Sequence, residues 1–323
     1  MNDSEQRTWT AFHVFLHDSV QQEEFIRGWL IPKVKSISKD GLVDSWFFIR
    51  YWDGGPHVRI RLLNLVNQDQ FLSELIESAK SYLGDGALTR ENYYAKHSFD
   101  GSTVEASELS WYNDGEVKEM PYEPEIARYG GPDAVLVHET LFHASSEIAL
   151  AMIRATKDST AHRLQLALKQ LICSVFAVNA DPVALYYFTT FSAEFWRSHA
   201  GEVTYANDTK GGPKLVEDIQ SIRDEIVNDS MTGALGFWVA SLKQGISKLR
   251  ELNEQQLLWS PIDGSLVKTD DEFQSAVMSM VGSQVHMLNN RLGVTPAYEF
   301  LLSSRIRDAL ASELNMSDKN NDQ

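Results

Sequence analysis

Apolar and polar positions alternate every second residue in short runs near the N-terminus. Farther along they recur every third or fourth residue. The first rhythm is that of a half-buried strand and the second that of an amphipathic helix. Trp9 to His17 reads as a strand, with Phe12, Val14 and Leu16 on one face and His13, Phe15 and His17 on the other. Trp46 to Tyr51 and His57 to Leu62 are two more, joined by the turn signal Asp53-Gly54-Gly55-Pro56 into a hairpin. Glu23 to Ser38 carries Phe25, Ile26, Trp29, Leu30 and Val34 at helical spacing, with Pro32 interrupting the register. Phe71 to Leu83 is a helix stopped by Gly84, and Tyr93 to Trp111 is mixed. From Asp133 onward helices are predicted over 134–153, 162–178, 182–198, 214–227, 238–252, 270–292 and 296–314.

Strands first and helices afterwards point to an α+β fold. The expected architecture is an N-terminal antiparallel sheet with a β-hairpin, followed by a mostly helical C-terminal half packed on it. Residues 9–314 are expected to form a single domain, between flexible ends at 1–8 and 315–323. The glycine-bearing loop from Ala200 to Pro213 is the expected mobile segment.

Of the 323 residues, 43% are hydrophobic, which is enough for a sizeable core. A net charge of −16 argues against general nucleic-acid binding, because an acidic chain repels phosphate backbones. The lone Cys173 lies in an apolar helical run, which excludes a disulfide framework or a cysteine zinc site and reads as core. The N-terminus lacks an apolar signal core and no stretch has the length to span a bilayer, so a soluble, cytoplasmic protein is expected.

Some familiar motifs fail on spacing. His138 and His143 are five residues apart, and a helical zinc pair needs four, so no metal site is expected. No Gly-Lys-Ser/Thr follows the glycines of the hairpin turn, and neither a Gly-x-Ser-x-Gly elbow nor a Gly-x-Gly-x-x-Gly fingerprint is present. No cofactor is implied.

In the strand His57 to Leu62, Val58, Ile60 and Leu62 face one way, and His57, Arg59 and Arg61 the other. Two arginines on one face are consistent with a solvated surface with carboxylate partners. They are equally consistent with a clamp, since guanidinium groups bind carboxylates through paired hydrogen bonds. A second island, Pro121 to Pro132, holds Arg128 in a proline- and glycine-bounded loop. A third, Gln284 to Gly293, places His286 off the apolar stripe of its helix, near Gly282 and Asn290. By itself such a histidine reads as structural or catalytic.

Together the runs Gly-Pro-His-Val-Arg-Ile-Arg, Tyr-Glu-Pro-Glu-Ile-Ala-Arg-Tyr-Gly-Gly-Pro and His-Met-Leu-Asn-Asn-Arg-Leu-Gly resemble the C-terminal elimination domain of class I lanthipeptide dehydratases. The group includes stand-alone thiopeptide-type bacteriocin biosynthesis proteins. The resemblance runs from Trp9 to about Ala311, without the preceding glutamylation domain, so the chain resembles one half of a split dehydratase. In that family Ser or Thr of a ribosomal precursor peptide is esterified with glutamate from glutamyl-tRNA. The elimination domain then expels glutamate, leaving dehydroalanine or dehydrobutyrine. The resemblance implies a carbon–oxygen lyase with Arg59, Arg61, Arg128 and His286 as catalytic residues and His57, Tyr122 and Asn290 as substrate contacts. It implies as partners the precursor peptide, a separate glutamylation protein that uses tRNA-Glu and, more weakly, a second copy of the chain. No direct nucleic-acid or membrane partner is expected.

The chemistry suits those side chains. Removing the α-proton builds enolate-like charge, and the leaving glutamate is a carboxylate, so fixed positive charge stabilises both. A histidine titrates near working pH and is suited to proton transfer. Two other readings stand beside this one. Family members that join two dehydroalanines in a formal [4+2] cycloaddition make the pyridine core of thiopeptides. A non-catalytic subunit would instead bind precursor peptide, with Trp9 to His17 offered as an exposed strand.

Overall fold

The structure is a computed structural model, and it describes residues 7–84, 86, 88–95, 109–157, 159–198 and 212–315. The predicted loop from 200 to 213 lies almost wholly outside that range, as do most of both termini and residues 96–108 of the mixed stretch. The architecture is α+β, as expected. Contacts divide the chain into two compact units, Met1–Pro124 and Glu125–Gln323.

The first unit is built on a four-stranded antiparallel sheet. Its strands are β1 (Trp9–Phe15), β2 (Ser45–Tyr51), β3 (His57–Leu63) and β4 (Val117–Glu119), in the order β2-β3-β1-β4. The predicted hairpin is β2-β3, with Phe47 opposite Arg61, Ile49 opposite Arg59 and Tyr51 opposite His57. Its turn requires left-handed backbone at Gly54 (φ 83°) and Gly55 (φ 109°). A Cβ on Gly54 would also lie 2.8 Å from the Tyr112 ring.

Two features of this unit differ from expectation. β1 is an interior strand, paired with β3 along its length and with β4 over Phe12–Val14, so it is not an exposed strand open to a peptide. The partner that covers it, β4, is only three residues long, and Val-Lys-Glu carries no strand rhythm. The helical stretch after β1 also begins earlier than predicted. It comprises α1 (Ser19–Phe25), a π-helical turn (Ile26–Leu30) and α2 (Ile31–Lys39). Pro32 has no N–H, and its ring crowds the carbonyl four residues back. The wider turn just before it, closed by Ile31 N–H to Ile26 O, absorbs the misfit. α3 (Gln68–Ala79) sends Phe71 to stack on Phe12 at 5.6 Å, covering the sheet face that carries Val58, Ile60 and Leu62. A short helix, α4 (Arg90–Tyr94), sends the Tyr94 hydroxyl to accept the Gly54 N–H at 3.1 Å.

The second unit is a helical assembly whose elements match the predicted spans within a few residues, apart from an earlier start to α9. They are α5 (Ala134–Thr156), α6 (Thr160–Val178), α7 (Pro182–Arg197), α8 (Pro213–Val227), α9 (Gly233–Glu254), α10 (Asp270–Leu292) and α11 (Pro296–Glu313). Their ends are capped locally. Asp181 and Ser159 cap α7 and α6, and α10 opens on a reciprocal Thr269–Glu272 capping box and closes on left-handed Gly293. α5 packs on α9, α10 on α5 and α6, and α11 on α7. Cys173 is buried in α6, with its thiol pushed up to about 12 by burial. Among the described residues no helix is long and apolar enough to cross a membrane.

Candidate functional site

In the sheet unit the strand register sets the site. Directly opposed residues share a face, so Arg61 lies between Phe47 and Ala11, and Arg59 between Ile49 and His13, with Lys118 beyond His13 on β4. His57 lies between Tyr51 and Phe15. The predicted common face of His57, Arg59 and Arg61 is therefore present. Aromatic rings back the charges. The Arg59 guanidinium sits 3.5 Å over the Tyr51 ring, and that of Arg61 lies 5.2 Å from Phe47 and 5.0 Å from Tyr122. Tyr122 also meets Trp9 and Phe47 edge-on, which fixes its ring beside Arg61.

His57 supports this arrangement from beneath and is fully buried. Its Nδ1 lies 2.7 Å from the Gly55 carbonyl, so that nitrogen carries the proton, and Nε2 accepts from Arg59 Nε at 2.9 Å. With both ring nitrogens engaged, any influence of His57 on a ligand runs through Arg59. His13 stacks on His57 at 4.9 Å. Burial, opposed in part by the Gly55 hydrogen bond and reinforced by Arg59 and Arg61, holds His57 down to about 3. Burial, then Arg59, His57 and Arg61 hold His13 down to about 2. A second proton on His57 would also set N–H against N–H at Arg59.

The helical unit brings together the remaining predicted residues. Arg128 donates from Nε to Ser283 Oγ at 3.1 Å and pairs with Glu125 at 3.4 Å. The turn that carries Arg128 ends in Gly130 (φ 84°) and Gly131 (φ 106°). A Cβ at Gly131 would press within 3.1 Å of the Trp259 ring, whose backbone N–H is bonded to Gly130 O at 2.8 Å. Ser283, His286 and Asn290 recur at helical spacing on the half-buried side of α10, so Arg128 reaches the helix one turn from His286. The His286 ring packs on Trp196 at 4.8 Å, and its Nδ1 lies 2.7 Å from Glu299 Oε1. Glu299 is buried in the first turn of α11.

Periodicity did not single out Glu299, Glu125, Trp196, Ser283 or His13. Glu125 stands three residues before Arg128, a spacing that signals a helical-turn pair. Glu299 reads as an ordinary first-turn acid until its partner is known. His138 is buried in α5 between Met280 Sδ at 3.3 Å and the Gln284 amide at 2.9 Å, and burial holds it down to about 3. His143 lies more than a turn beyond it. Among the described residues no cluster of three or more His, Cys, Asp or Glu side chains is placed to hold a metal ion.

The lowered histidines have a consequence for stability. In the unfolded chain His13, His57 and His138 protonate near 6.5, whereas in the folded chain they stay neutral down to about 2 to 3. Below pH 6.5 the unfolded state therefore binds more protons. The stabilisation is fully present above that pH and drains away as pH falls toward 3. The loss is expected to be on the order of 1–2 kcal/mol per histidine at pH 5. Urea midpoints at pH 7 and pH 5 check this, with His138→Gln reducing the difference. Equal midpoints for the native chain would contradict it.

The sequence profile described as lantibiotic biosynthesis dehydratase C-term matches residues 9–310. Epidermin biosynthesis protein EpiB of Staphylococcus epidermidis is 22% identical over 149 residues, which is 46% of this chain and 12% of that protein. Among solved structures, TsrL matches with a TM-score of 0.69 at 14% identity, over 96% of each chain. TbtD, a pyridine synthase from thiomuracin biosynthesis, matches at 0.67 and 16%, over 96% of this chain and 99% of that one. The tRNA-dependent lantibiotic dehydratase MibB from Microbispora sp. 107891 matches at 0.57 and 18%, over 98% of this chain and 29% of that one. The likeness in structure is one of fold, and the profile match over nearly the whole chain identifies the family: the protein belongs to the lantibiotic biosynthesis dehydratase C-terminal family.

Proposed function

We propose that this chain expels glutamate from glutamylated Ser or Thr side chains of a ribosomal precursor peptide, leaving dehydroalanine or dehydrobutyrine. The observation that carries the reading is the sheet face on which Arg59 and Arg61 stand side by side over aromatic rings, next to histidines held neutral. A guanidinium stacked on a ring presents its N–H groups in the plane a carboxylate needs. The substrate carries a free carboxylate and releases a second. His286 takes the α-proton of the esterified residue. The electron pair of the broken C–H bond becomes the second bond between Cα and Cβ. The Cβ–O bond breaks, and glutamate leaves as a carboxylate. Arginine charge lowers the energy of both the enolate-like carbonyl and the departing anion. A separate reaction, glutamyl transfer from tRNA by a partner protein, must supply the ester.

A second reading, ring closure between two dehydroalanines, is favoured by the likeness in fold to the pyridine synthase TbtD over 96% of this chain. One experiment separates the two. The purified protein is given a chemically glutamylated peptide and, separately, a bis-dehydroalanine peptide, and the products are weighed by mass spectrometry. Loss of glutamate from the first with no change in the second is the expected result. Ring formation with loss of the leader segment would replace elimination by cyclisation. Binding of both peptides with conversion of neither would leave a peptide-binding subunit.

A further inference from the structure

Behind His286 runs a chain of buried hydrogen bonds that crosses four helices. Trp238 Nε1 on α9 donates to Ser174 Oγ on α6 at 2.8 Å. Ser174 Oγ donates to Gln170 O at 2.7 Å and lies 3.4 Å from Gln170 Oε1. Gln170 Nε2 donates to Asn289 Oδ1 on α10 at 2.9 Å, and Asn289 Nδ2 donates to Glu299 Oε2 on α11 at 3.2 Å. The other carboxylate oxygen, Oε1, faces His286 Nδ1 at 2.7 Å. Trp238, Ser174, Gln170 and Asn289 are all fully buried.

Donor and acceptor chemistry sets the direction of these bonds. An indole N–H only donates and a carboxylate only accepts. Ser174 therefore receives from Trp238 and gives its own proton to the Gln170 backbone carbonyl. The amides are oriented from the other end: Glu299 can only accept, so Asn289 turns its N–H₂ to the carboxylate and its oxygen to Gln170, whose N–H₂ then faces Asn289. Both oxygens of Glu299 are then acceptors, and His286 must place its proton on Nδ1. Its lone pair is left on Nε2, across the ring from α11. Trp196, packed on the ring, hinders rotation out of this pose.

Stability alone does not account for Glu299. The side chain is buried, and among the described residues its partners are an amide and the histidine, with no Lys or Arg. Burying a carboxylate costs more than such partners return, whereas an apolar side chain of that size would pack at no such cost. Local rules are broken in this way where a site needs the group.

We infer that Glu299, held by Asn289 and Gln170, is a positioning residue for proton transfer that presets His286 as the Nδ1–H tautomer with Nε2 turned away to take the substrate proton. This deepens the elimination reading and rests on its use of His286. The first measurement needs no variant: ¹⁵N spectra of the neutral imidazole in the native protein are expected to show protonated Nδ1. A ring protonated at Nε2 would overturn the inference. The second is Glu299→Gln, in which the amide can offer an N–H to Nδ1 and stabilise the other tautomer. On glutamylated peptide kcat is expected to fall about 10³- to 10⁴-fold with KM within about twofold, as when a catalytic histidine is held in the wrong tautomer. Glu299→Asp should recover part of that loss. Native-like kcat in Glu299→Gln, or Glu299→Asp no better than Glu299→Gln, would sink the role. His286→Ala tells the two ideas apart. Normal elimination in that variant refutes the use of His286, whereas lost elimination there with full activity in Glu299→Gln refutes only the role of Glu299.

Discussion

Replacing His286 with alanine is expected to lower the rate of glutamate release about 10³-fold, within the usual range for loss of a positioned acid–base group. The effect should fall on kcat. The proposed role of His286 is proton transfer and not peptide binding, so KM should move little. The ring is held on two sides, by Trp196 at 4.8 Å and by Glu299 at 2.7 Å, and its removal leaves the Glu299 carboxylate buried beside an empty space. Some loss of stability will accompany the loss of rate, on the order of 1–3 kcal/mol. His286→Gln, which can still donate to Glu299, keeps more of the stability and none of the proton transfer. Comparing the two variants by melting and by single-turnover elimination separates the effects. Elimination at the native rate in His286→Gln would remove histidine from the mechanism.

The second large effect is expected at Arg61. Arg61→Ala should reduce kcat/KM for elimination about 10²- to 10³-fold, the usual cost of removing one preorganised donor to a developing negative charge. Arg61→Lys should recover only a small part. A lysine keeps the charge but loses the planar fork and the fit against Phe47 and Tyr122. Arg59 also donates to His57 Nε2, so Arg59→Ala strands a buried acceptor and mixes a folding defect with a binding one. Free glutamate gives a direct check: as a competitive product it should inhibit the native protein and lose at least tenfold in affinity with Arg61→Ala. Unchanged kcat/KM in Arg61→Ala would leave the arginine pair an ordinary surface feature.

Much of the fold was legible in the spacing of apolar side chains. The hairpin from Ser45 to Leu63 and the C-terminal helices follow the predicted spans, because Trp46–Tyr51 is an aromatic run ended by a turn signal, His57–Leu62 alternates with period two, and the helices repeat near four. Caps at Asp181, Thr269 and Gly293 close the helix ends in the structure by satisfying backbone groups locally. What was not legible has distant causes. β4 is three residues with no rhythm and exists because β1 supplies its partner. β1 was read as open to a peptide, yet a strand's neighbours are set by chain segments far away, and here 57–63 and 117–119 close both edges. The π-helical turn at Ile26–Leu30 reflects a conflict between Pro32 and a helix that tertiary packing kept intact.

The candidate site divides along the same line. Strand periodicity alone placed His57, Arg59 and Arg61 on one face, and helical periodicity placed His286 off the apolar stripe of α10. Both are local geometry, dictated by the backbone repeat. The sequence could not say that His57 would be buried beneath Arg59, that Tyr51, Phe47 and Tyr122 would carry the guanidinium groups, or that Arg128 would reach Ser283. Nor could it say that Glu299 would meet His286, or that the buried amides of Asn289 and Gln170 would line up behind that carboxylate. Those contacts join residues up to 155 positions apart, and hydrogen-bond direction depends on which donors and acceptors the packed helices bring within reach. Periodicity determines which way a side chain points, and only the tertiary structure decides what stands in front of it.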